Sequence, residues 1–179
     1  MSDNTQTIVL GGGCFWCTEA VFLAVKGVLD VQSGYCNGHS VAPSYEQVCT
    51  GKTGHNEVVR LVFDPQQVSL REILEIFFLI HDPTTLNRQG ADVGTQYRSG
   101  IYCSNGEQQA LAIALIAEIE RSGTYGSPVV TEVLALANYW PAEDYHQEYF
   151  RKNPHQGYCL AVAAPKVAKF RKTFARLVK

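Results

Sequence analysis

The sequence has no excess of positive charge and no long apolar run. Its 15 lysine and arginine residues are offset by 17 aspartate and glutamate residues, which gives a formal net charge of -2 at pH 7. A protein that works on nucleic-acid phosphates needs a basic surface, and this composition does not supply one. The strongest apolar runs, residues 73–80 and 110–117, are about eight residues long and too short to cross a bilayer. Nucleic-acid binding and a membrane-spanning role are therefore excluded as principal functions.

The N-terminus has no secretory or lipidation signal. Residues 1–7 are polar and include Asp3, whereas a secretory leader needs a basic start and an apolar centre. Hydrophobic residues make up 46% of the chain and charged residues 18%, which excludes a disordered or fibrous protein. We therefore expect a cytoplasmic protein with a single domain over residues 1–179 and a C-terminal tail of about residues 150–179.

Six cysteines are unusual in a chain that is expected in a reducing compartment. A small secreted protein would use an even number of cysteines as a disulfide framework, but 179 residues can bury a core without such staples. In a cytoplasmic protein, thiols are small buried hydrophobes, metal ligands or redox groups. The sequence around each cysteine has to separate these possibilities.

Apolar patterns and turn residues predict an alternating series of strands and helices. Ser69 and Glu72 form a capping-box pattern at the start of one helix, and Ser104 and Glu107 form the same pattern at the start of another. The predicted strands are residues 5–10, 28–35, 57–63, 99–103 and 128–137. The predicted helices are residues 14–26, 69–81, 104–122 and 165–177.

This order of elements predicts a two-layer α/β (α+β) sandwich. The split βαβ pattern fits it, so we expect a ferredoxin-like mixed sheet with helices on one face. An irregular segment is expected between the last strand and the C-terminal helix. Residues 36–56, 82–98 and 138–159 are expected to be long loops. Their polar and aromatic composition indicates functional loops on a rigid scaffold.

Cys14 lies where a predicted strand turns into a helix, directly after three glycines. Glycines allow backbone amides to face an anion, and the N-terminus of a helix favours negative charge. Both effects predict a lowered pKa for the Cys14 thiol and therefore a reactive thiolate. A buried, inert thiol is the alternative. Phosphate binding is a weak interpretation, because the run lacks the third glycine position of a dinucleotide fingerprint and no Walker lysine follows.

Two other functions remain open from the residues alone. Four residues have the Cys-x2-Cys-x18-Cys-x2-His spacing of zinc-ribbon sites and predict a zinc-stabilised binding module: Cys14, Cys17, Cys36 and His39. The aromatic pair between the first two cysteines is atypical of a zinc knuckle. A cysteine hydrolase is the other alternative, with Cys14 paired with His55 or His146.

A more specific pattern is distributed along the chain. It comprises residues 13–20 (GCFWCTEA), 44–50 (SYEQVCT), 54–57 (GHNE), 82–90 (DPTTLNRQG), 92–99 (DVGTQYRS), 142–147 (AEDYHQ) and 157–159 (GYC). In sequence and in order, these segments closely resemble the A-type peptide methionine sulfoxide reductases. The resemblance extends from about residue 8 to residue 160, which is nearly the whole chain.

This resemblance implies a function and a role for each matching residue. The implied function is reduction of the S epimer of methionine sulfoxide, free and in proteins, and hence repair of oxidised proteins. The implied reductant is thioredoxin, which dithiothreitol replaces in vitro, with no metal or organic cofactor and a monomeric enzyme. The implied roles are a nucleophile (Cys14), an acid (Glu57), donors to the sulfoxide oxygen (Tyr45 and Tyr97), an orienting carboxylate (Asp92), a methyl-binding wall (Phe15 and Trp16) and a resolving thiol (Cys159).

Elementary chemistry agrees with these roles. A sulfoxide sulfur is a poor electrophile until its oxygen is protonated or strongly hydrogen-bonded, so the reaction needs a thiolate on one side and donors on the other. Glu57 can donate a proton at neutral pH only if burial raises its pKa. Attack leaves Cys14 as a sulfenic acid, which a second thiol converts to a disulfide. We expect Cys159 in a mobile segment, because it follows Gly157 outside the predicted helices and strands.

The chain departs from the family pattern at a few positions. Cys36 and Asn37 stand where many relatives have two glycines, and Asn56 stands where alanine is common. No cysteine follows Cys159, which favours a single resolving step. Cys17, three residues from Cys14, is an alternative resolving thiol. The favoured interpretation is that it is an inert thiol one turn into the helix. The remaining thiols are expected to pack or stay idle: Cys36, Cys49 and Cys103.

Overall fold

The computed structural model describes residues 4–179, in which short helices and strands alternate. The strands are β1 (Gln6–Gly11), β2 (Val28–Cys36), β3 (Asn56–Phe63), β4 (Arg88–Gln89), β5 (Asp92–Val93), β6 (Gly100–Cys103), β7 (Glu132–Ala135) and β8 (Trp140–Pro141). The α-helices are α1 (Phe15–Phe22), α2 (Tyr45–Cys49), α3 (Leu70–Ile80), α4 (Gly106–Ser122), α5 (Tyr149–Lys152) and α6 (Ala164–Thr173). Within the described residues, no helix combines the length and apolar character that a membrane span needs.

Six of the described strands form one mixed sheet in the order β7-β6-β1-β3-β2-β8. β1 lies antiparallel between β3 and β6, β2 is antiparallel to β3, and β7 is parallel to β6. The central order β6-β1-β3-β2 arises because α1 joins β1 to β2 and α3 joins β3 to β6. This is the split βαβ pattern, so the predicted mixed α/β fold is confirmed.

Alternating side chains divide the sheet into two faces. On one face, Ile8 and Leu61 are fully buried in the main core with Phe77 of α3 and Phe170 of α6. The opposite face carries a smaller cluster, built from Val9, Cys36, Val58 and Tyr102, against which Leu136 and Tyr139 pack. The helices therefore cover one face, as predicted, and the segment between β7 and β8 covers part of the other.

Several predicted boundaries differ from the structure. The capping box at Ser69 and Glu72 is present, with both reciprocal bonds. The one predicted at Ser104 is wrong: the cap is Asn105, whose side chain accepts the Gln108 N–H, because the helix starts one residue later than predicted. The predicted strand 128–137 shortens to β7, and the predicted helix 14–26 ends at Phe22.

The segment before the C-terminal helix is not irregular as we predicted, because it contains α5 and a π-helical turn at Cys159–Ala163. The turn continues into α6, which corresponds to the helix predicted at residues 165–177. The chain then returns to the end of α1, where the Lys26 N–H donates to the Leu177 carbonyl at 2.6 Å and the Lys179 N–H donates to the Ala24 carbonyl at 3.0 Å. Residues after Phe22 therefore pair with the C-terminus instead of continuing the helix.

Candidate active site

The turn from β1 to α1 presents the Cys14 thiol at the N-terminus of a helix, as the glycine run predicts. Gly13 has a φ of +94°, and a Cβ atom there would lie 2.8 Å from the Gln89 side chain, so only glycine fits. Cys14 is the N-cap residue of α1, and its side chain is 8% exposed. The nucleophile candidate is therefore fixed by backbone geometry and almost closed off from solvent.

The predicted lowering of the Cys14 pKa is wrong for the resting structure. Burial raises the pKa of this thiol well above its usual value, and the charges of Glu57 and Cys17 raise it further. The Trp16 backbone N–H acts in the opposite direction but is outweighed. The helix N-terminus is present, yet burial and the neighbouring carboxyl group outweigh its effect, so the thiol stays protonated at neutral pH.

Glu57 lies on β3 and is almost fully buried, with 1% of its surface exposed. Its Oε1 accepts the Phe15 backbone N–H at 3.3 Å, and its buried Oε2 has no hydrogen-bond partner among residues 4–179. Burial raises its pKa from 4.5 to about 8; the Phe15 N–H opposes this and the charge of Asp92 adds to it. At neutral pH the carboxyl is therefore mostly protonated, as the acid role requires, and one of its oxygens is unused.

Tyr45 is held beside Phe15 by the start of α2, a helix that we did not predict within the expected loop 36–56. Ser44 and Gln47 form a capping box around its first turn. The Tyr45 N–H donates to Glu143 Oε2 at 2.8 Å, and its ring lies 6.3 Å from that of Phe15 with an interplanar angle of 19°. The ring therefore joins α2 to the N-terminus of α1.

Tyr97 ends a short 3-10 turn, Thr95–Tyr97, and is half-buried. Burial raises the pKa of both Tyr45 and Tyr97, and the charge of Glu57 is the next cause in each case. The charge of Cys14 also raises the pKa of Tyr97. Both phenols therefore keep their protons and remain hydrogen-bond donors at neutral pH.

Asp92 lies on β5 and forms the end of a polar chain. The Tyr158 hydroxyl donates to Asp92 Oδ2 at 2.6 Å, and the Cys17 thiol donates to the Tyr158 hydroxyl at 3.7 Å. The charge of Asp92 contributes to the raised pKa of both Cys14 and Glu57. Asp92 thus reinforces the protonated state of the central pair.

Aromatic rings surround Phe15 and Trp16, the two residues assigned to the methyl-binding wall. Trp16 Nε1 donates to His146 Nδ1 at 2.9 Å. The Trp16 ring stacks on Tyr149 at a centroid distance of 3.8 Å and an angle of 5°, and it meets Tyr158 edge-on at 5.9 Å. Sequence reasoning considered His146 only as a possible hydrolase base and assigned no role to Tyr149 or Tyr158, although His146 and Tyr158 fall within the motifs at 142–147 and 157–159.

Cys159 is fully buried at the start of the π-helical turn, whereas we expected it to lie outside helices and strands. The turn packs against α1 and continues into α6. Burial raises the pKa of Cys159, and its charge contributes to the raised pKa of Cys17. A role as a resolving thiol therefore requires this turn to open.

The zinc-site prediction is wrong. Cys36 lies in the small cluster on the sheet face opposite the main core, and the His39 ring donates through Nε2 to the Lys52 carbonyl at 2.8 Å. Within residues 4–179, no three His, Cys, Asp or Glu side chains are grouped so that they could hold a metal ion. The four ligands of the predicted ribbon do not meet.

The histidines proposed for a hydrolase are engaged elsewhere. His55 Nδ1 accepts the Gly38 N–H at 3.2 Å, and its Nε2 donates to the Ser40 carbonyl at 2.7 Å. His146 Nδ1 accepts from Trp16, and burial lowers the pKa of this ring, so it is neutral. In the described part of the chain, neither ring is hydrogen-bonded to the Cys14 thiol, so neither is placed as a general base for it.

A buried thiol, a protonated carboxyl group with a free oxygen and two phenols define the site of a thiol-dependent oxidoreductase. The model of the family "Peptide methionine sulfoxide reductase" matches residues 6–177. The chain belongs to this family, and its activity is the thiol-dependent reduction of methionine sulfoxide to methionine.

Curated relatives share more than half of their residues with this chain. A protein of Polynucleobacter asymbioticus, named peptide methionine sulfoxide reductase MsrA, is 57% identical over 97% of this chain and 91% of its own length. A protein of the same name from Saccharolobus solfataricus is 54% identical over 97% of both chains. The resemblance to this family that the motifs indicate is therefore confirmed.

Solved structures share the fold. Mxr1 from Saccharomyces cerevisiae in reduced form superposes with a TM-score of 0.81 at 35% identity, covering 89% of this chain and 91% of that one. Methionine sulfoxide reductase A of Corynebacterium diphtheriae superposes with a TM-score of 0.78 at 37% identity, covering 89% and 79% of the two chains.

Proposed function

We propose that this enzyme reduces the S epimer of methionine sulfoxide, free and in proteins, through a sulfenic acid on Cys14. One observation supports this most strongly: the buried Glu57 carboxyl has a pKa of about 8 and an Oε2 atom without a partner among the described residues. Such a group can donate a proton at neutral pH to an oxygen that enters the pocket.

In the first step, the substrate methyl group lies against Phe15 and Trp16. The sulfoxide oxygen accepts hydrogen bonds from Glu57, Tyr45 and Tyr97, while Asp92 orients the bound molecule. The Cys14 sulfur attacks the sulfoxide sulfur while Glu57 gives its proton to the sulfoxide oxygen, and the thiol proton replaces the one that Glu57 has lost. The transient sulfur–sulfur bond and the sulfur–oxygen bond of the substrate then break as the hydroxyl group moves to the Cys14 sulfur. The products are methionine and a sulfenic acid, so the thiol is oxidised by the two electrons that the sulfoxide gains.

In the second step, the Cys159 thiol attacks the sulfur of the sulfenic acid and gives its proton to the leaving hydroxyl group. A disulfide forms between Cys14 and Cys159, and the hydroxyl group leaves as water. The dithiol of thioredoxin then reduces this disulfide and is itself oxidised to a disulfide. Mxr1 of Saccharomyces cerevisiae has also been solved in complex with Trx2, which supports thioredoxin as the class of reductant.

All electrons in this scheme come from thiols, so neither a metal nor an organic cofactor enters it. Thioredoxin supplies them in the cell and dithiothreitol in vitro. We further propose that the enzyme acts in the cytoplasm, as a monomer and as one domain, in the repair of oxidised proteins.

The decisive experiment counts methionine released per enzyme. Purified enzyme with all thiols reduced, treated with a chelator, is mixed with the S epimer without a reductant. We expect about one methionine per enzyme, continuous turnover when dithiothreitol is added, and no product from the R epimer, because each cycle consumes one thiol pair. Failure to release any methionine from the S epimer overturns the proposal.

A further inference from the structure

Glu19 is a fully buried carboxylate on α1 to which the proposed mechanism gives no role. Its relative exposure is 0%, although a buried acid costs folding free energy unless it is compensated. Its two oxygens accept the backbone N–H groups of Glu148 at 2.8 Å and of Tyr149 at 3.2 Å. Burial raises its pKa, and these two N–H groups oppose the rise. The carboxylate thus binds the backbone of residues 148–149, and Glu148 is 129 residues away in sequence.

The segment that Glu19 binds has a backbone conformation that needs support. Glu148 has a φ of +55°, in the left-handed region, which is unfavourable for a residue other than glycine. The preceding residue, Gln147, holds the segment to β2 from the other side. Its Oε1 accepts the Ser33 N–H at 2.9 Å, and its Nε2 donates to the Ser33 carbonyl at 3.0 Å. Gln147 and Glu19 therefore fix neighbouring residues onto two different elements.

The residue that this arrangement orients is Tyr149. Its ring lies parallel to the Trp16 indole at a centroid distance of 3.8 Å. Trp16 and Glu19 share α1, one turn apart, so the carboxylate binds the backbone of the residue whose ring covers Trp16. His146, just before Gln147, accepts the indole N–H. The orientation of Trp16 is thus set by a segment that Glu19 anchors.

We propose that Glu19 is a positioning residue for the methyl-binding wall. It fixes Tyr149 against Trp16, so that the indole keeps the orientation in which it receives the substrate methyl group. This inference rests on the binding role proposed for Trp16. It predicts that loss of the carboxylate weakens substrate binding while the chemistry at Cys14 and Glu57 continues.

The test uses Glu19→Gln and Glu19→Ala in the full-length enzyme. Gln retains one acceptor oxygen and Ala retains none, so we expect KM for methionine S-sulfoxide to rise about threefold in the first and about tenfold or more in the second. The single-turnover rate constant at saturation is expected to change less than threefold. Arg151→Ala is the matched control, because Arg151 forms an exposed ion pair with Glu148 in the same segment and KM is expected to stay unchanged.

A second measurement needs no substrate. In a Trp140→Phe background, the fluorescence of Trp16 reports its stacking on Tyr149, and we expect Glu19→Ala to change its intensity and anisotropy, with Glu19→Gln intermediate. Unchanged fluorescence together with unchanged KM in Glu19→Ala overturns the inference. A fall in the single-turnover rate with an unchanged KM overturns it as well, because the residue would then act on the chemistry.

Trp16→Ala separates this inference from the function on which it rests. If Trp16→Ala leaves KM unchanged, the proposed methyl-binding wall is wrong. If Trp16→Ala raises KM while Glu19→Ala does not, only the role of Glu19 is wrong. Should Glu19→Ala fail to fold, Glu19→Gln alone decides, since one lost acceptor has to produce a measurable rise in KM.

Discussion

At the scale of single residues, the site is organised around two buried acids, Cys14 and Glu57. Burial favours the neutral form of each, and the charge of Glu57 raises the pKa of Cys14 further. The resting protein therefore has a thiol and a carboxylic acid side by side, and the reactive thiolate forms only when the thiol proton finds an acceptor. We infer that Glu57, once it has given its own proton to the sulfoxide oxygen, is that acceptor, which would couple ionisation of the thiol to the presence of substrate.

Cys14→Ser tests the nucleophile. A hydroxyl group is a far weaker nucleophile here and cannot form a sulfenic acid, so we expect no methionine from any sulfoxide in a single-turnover assay with dithiothreitol. Cys103→Ala, on β6, serves as the control because its thiol packs in the main core. Substantial turnover by Cys14→Ser would contradict the mechanism.

Glu57→Gln tests the acid. Glutamine keeps the shape of the side chain but has no acidic proton, so the single-turnover rate is expected to fall by about 10²–10⁴-fold, the usual contribution of general acid catalysis. Rapid quenching and chromatography of the released methionine measure the rate. An unchanged rate would remove Glu57 from the chemical step.

The pH profile of the same step follows from the raised pKa of Glu57. The protonated carboxyl predominates below about pH 8 and is lost above it. We therefore expect the parent single-turnover rate, measured at saturating substrate, to fall as pH rises through about 8. In Glu57→Gln this decline should be absent, and persistence of the same decline in that variant would assign it to another group.

Sequence reasoning named residues that the structure brings together at the start of α1. Cys14 and its neighbours follow from the strand–glycine–helix pattern, and the family resemblance assigned Glu57, which the structure brings to the Phe15 N–H. It missed His146 and Tyr149, because their contacts with Trp16 join segments about 130 residues apart and depend on the left-handed turn at Glu148. The lowered thiol pKa was wrong because local sequence does not reveal how deeply a side chain is buried.

At the scale of secondary structure, the proposed resolving step depends on the π-helical turn with Cys159. A π-helical turn is rare and often marks a functional site. Cys159 is fully buried in it, whereas the proposed disulfide requires the thiol to reach Cys14. The turn packs against α1, its neighbour Tyr158 bonds to Asp92, and the Cys159 N–H donates to Gln156 Oε1 at 3.0 Å. We expect opening of the turn to break these contacts.

Cys159→Ser separates the chemical step from resolution. We expect this variant to release one methionine per enzyme and then stop under thioredoxin, because the sulfenic acid forms but no disulfide follows. Product counted with thioredoxin, its reductase and NADPH measures the effect, and Cys103→Ala again provides a control. Continued thioredoxin-driven cycling would shift the resolving role to Cys17, whose thiol bonds to Tyr158.

Helices and strands were predicted correctly where local sequence determines them. The prediction failed where packing against distant parts of the chain determines them. The helix at Ser69 was correct because serine and glutamate cap it in the structure. The C-terminal segment was mispredicted because its helical turns are short and lie against α1, and such contacts leave no periodic pattern. The long predicted loops likewise contain α2 and α5, each too short to be recognised by periodicity.

At the scale of the whole molecule, a buried histidine links stability to pH. His81 lies between α3 and the start of β6, where its Nδ1 donates to the Phe77 carbonyl and its Nε2 accepts from the Ser99 hydroxyl at 2.7 Å. Burial lowers its pKa from 6.5 to about 4. The folded protein thus keeps the ring neutral in a range where the unfolded chain takes up a proton.

His81→Gln tests this link. The contribution of His81 is fully present above about pH 6.5 and is lost as pH falls towards 4, by about 3 kcal/mol in the free energy of unfolding. Urea titrations across this range measure it, and we expect the difference between parent and His81→Gln to shrink as pH falls. His155→Gln, at an exposed position, is the control. If the difference in unfolding free energy between the parent and His81→Gln does not change with pH, the pH dependence of stability comes from other groups, because these are present in both proteins.

The exposure of each thiol determines whether a bulky sulfhydryl reagent can label it in the native protein. Of the six cysteines, Cys49 is exposed and the other five are buried. Native protein should therefore give one rapidly labelled sulfur, and complete labelling should require denaturant. In Cys14→Ser, a second rapidly labelled thiol that appears when a sulfoxide is added would show that the C-terminal turn loosens without any turnover. Loss of this labelling when Cys159→Ser is also introduced would identify the thiol as Cys159.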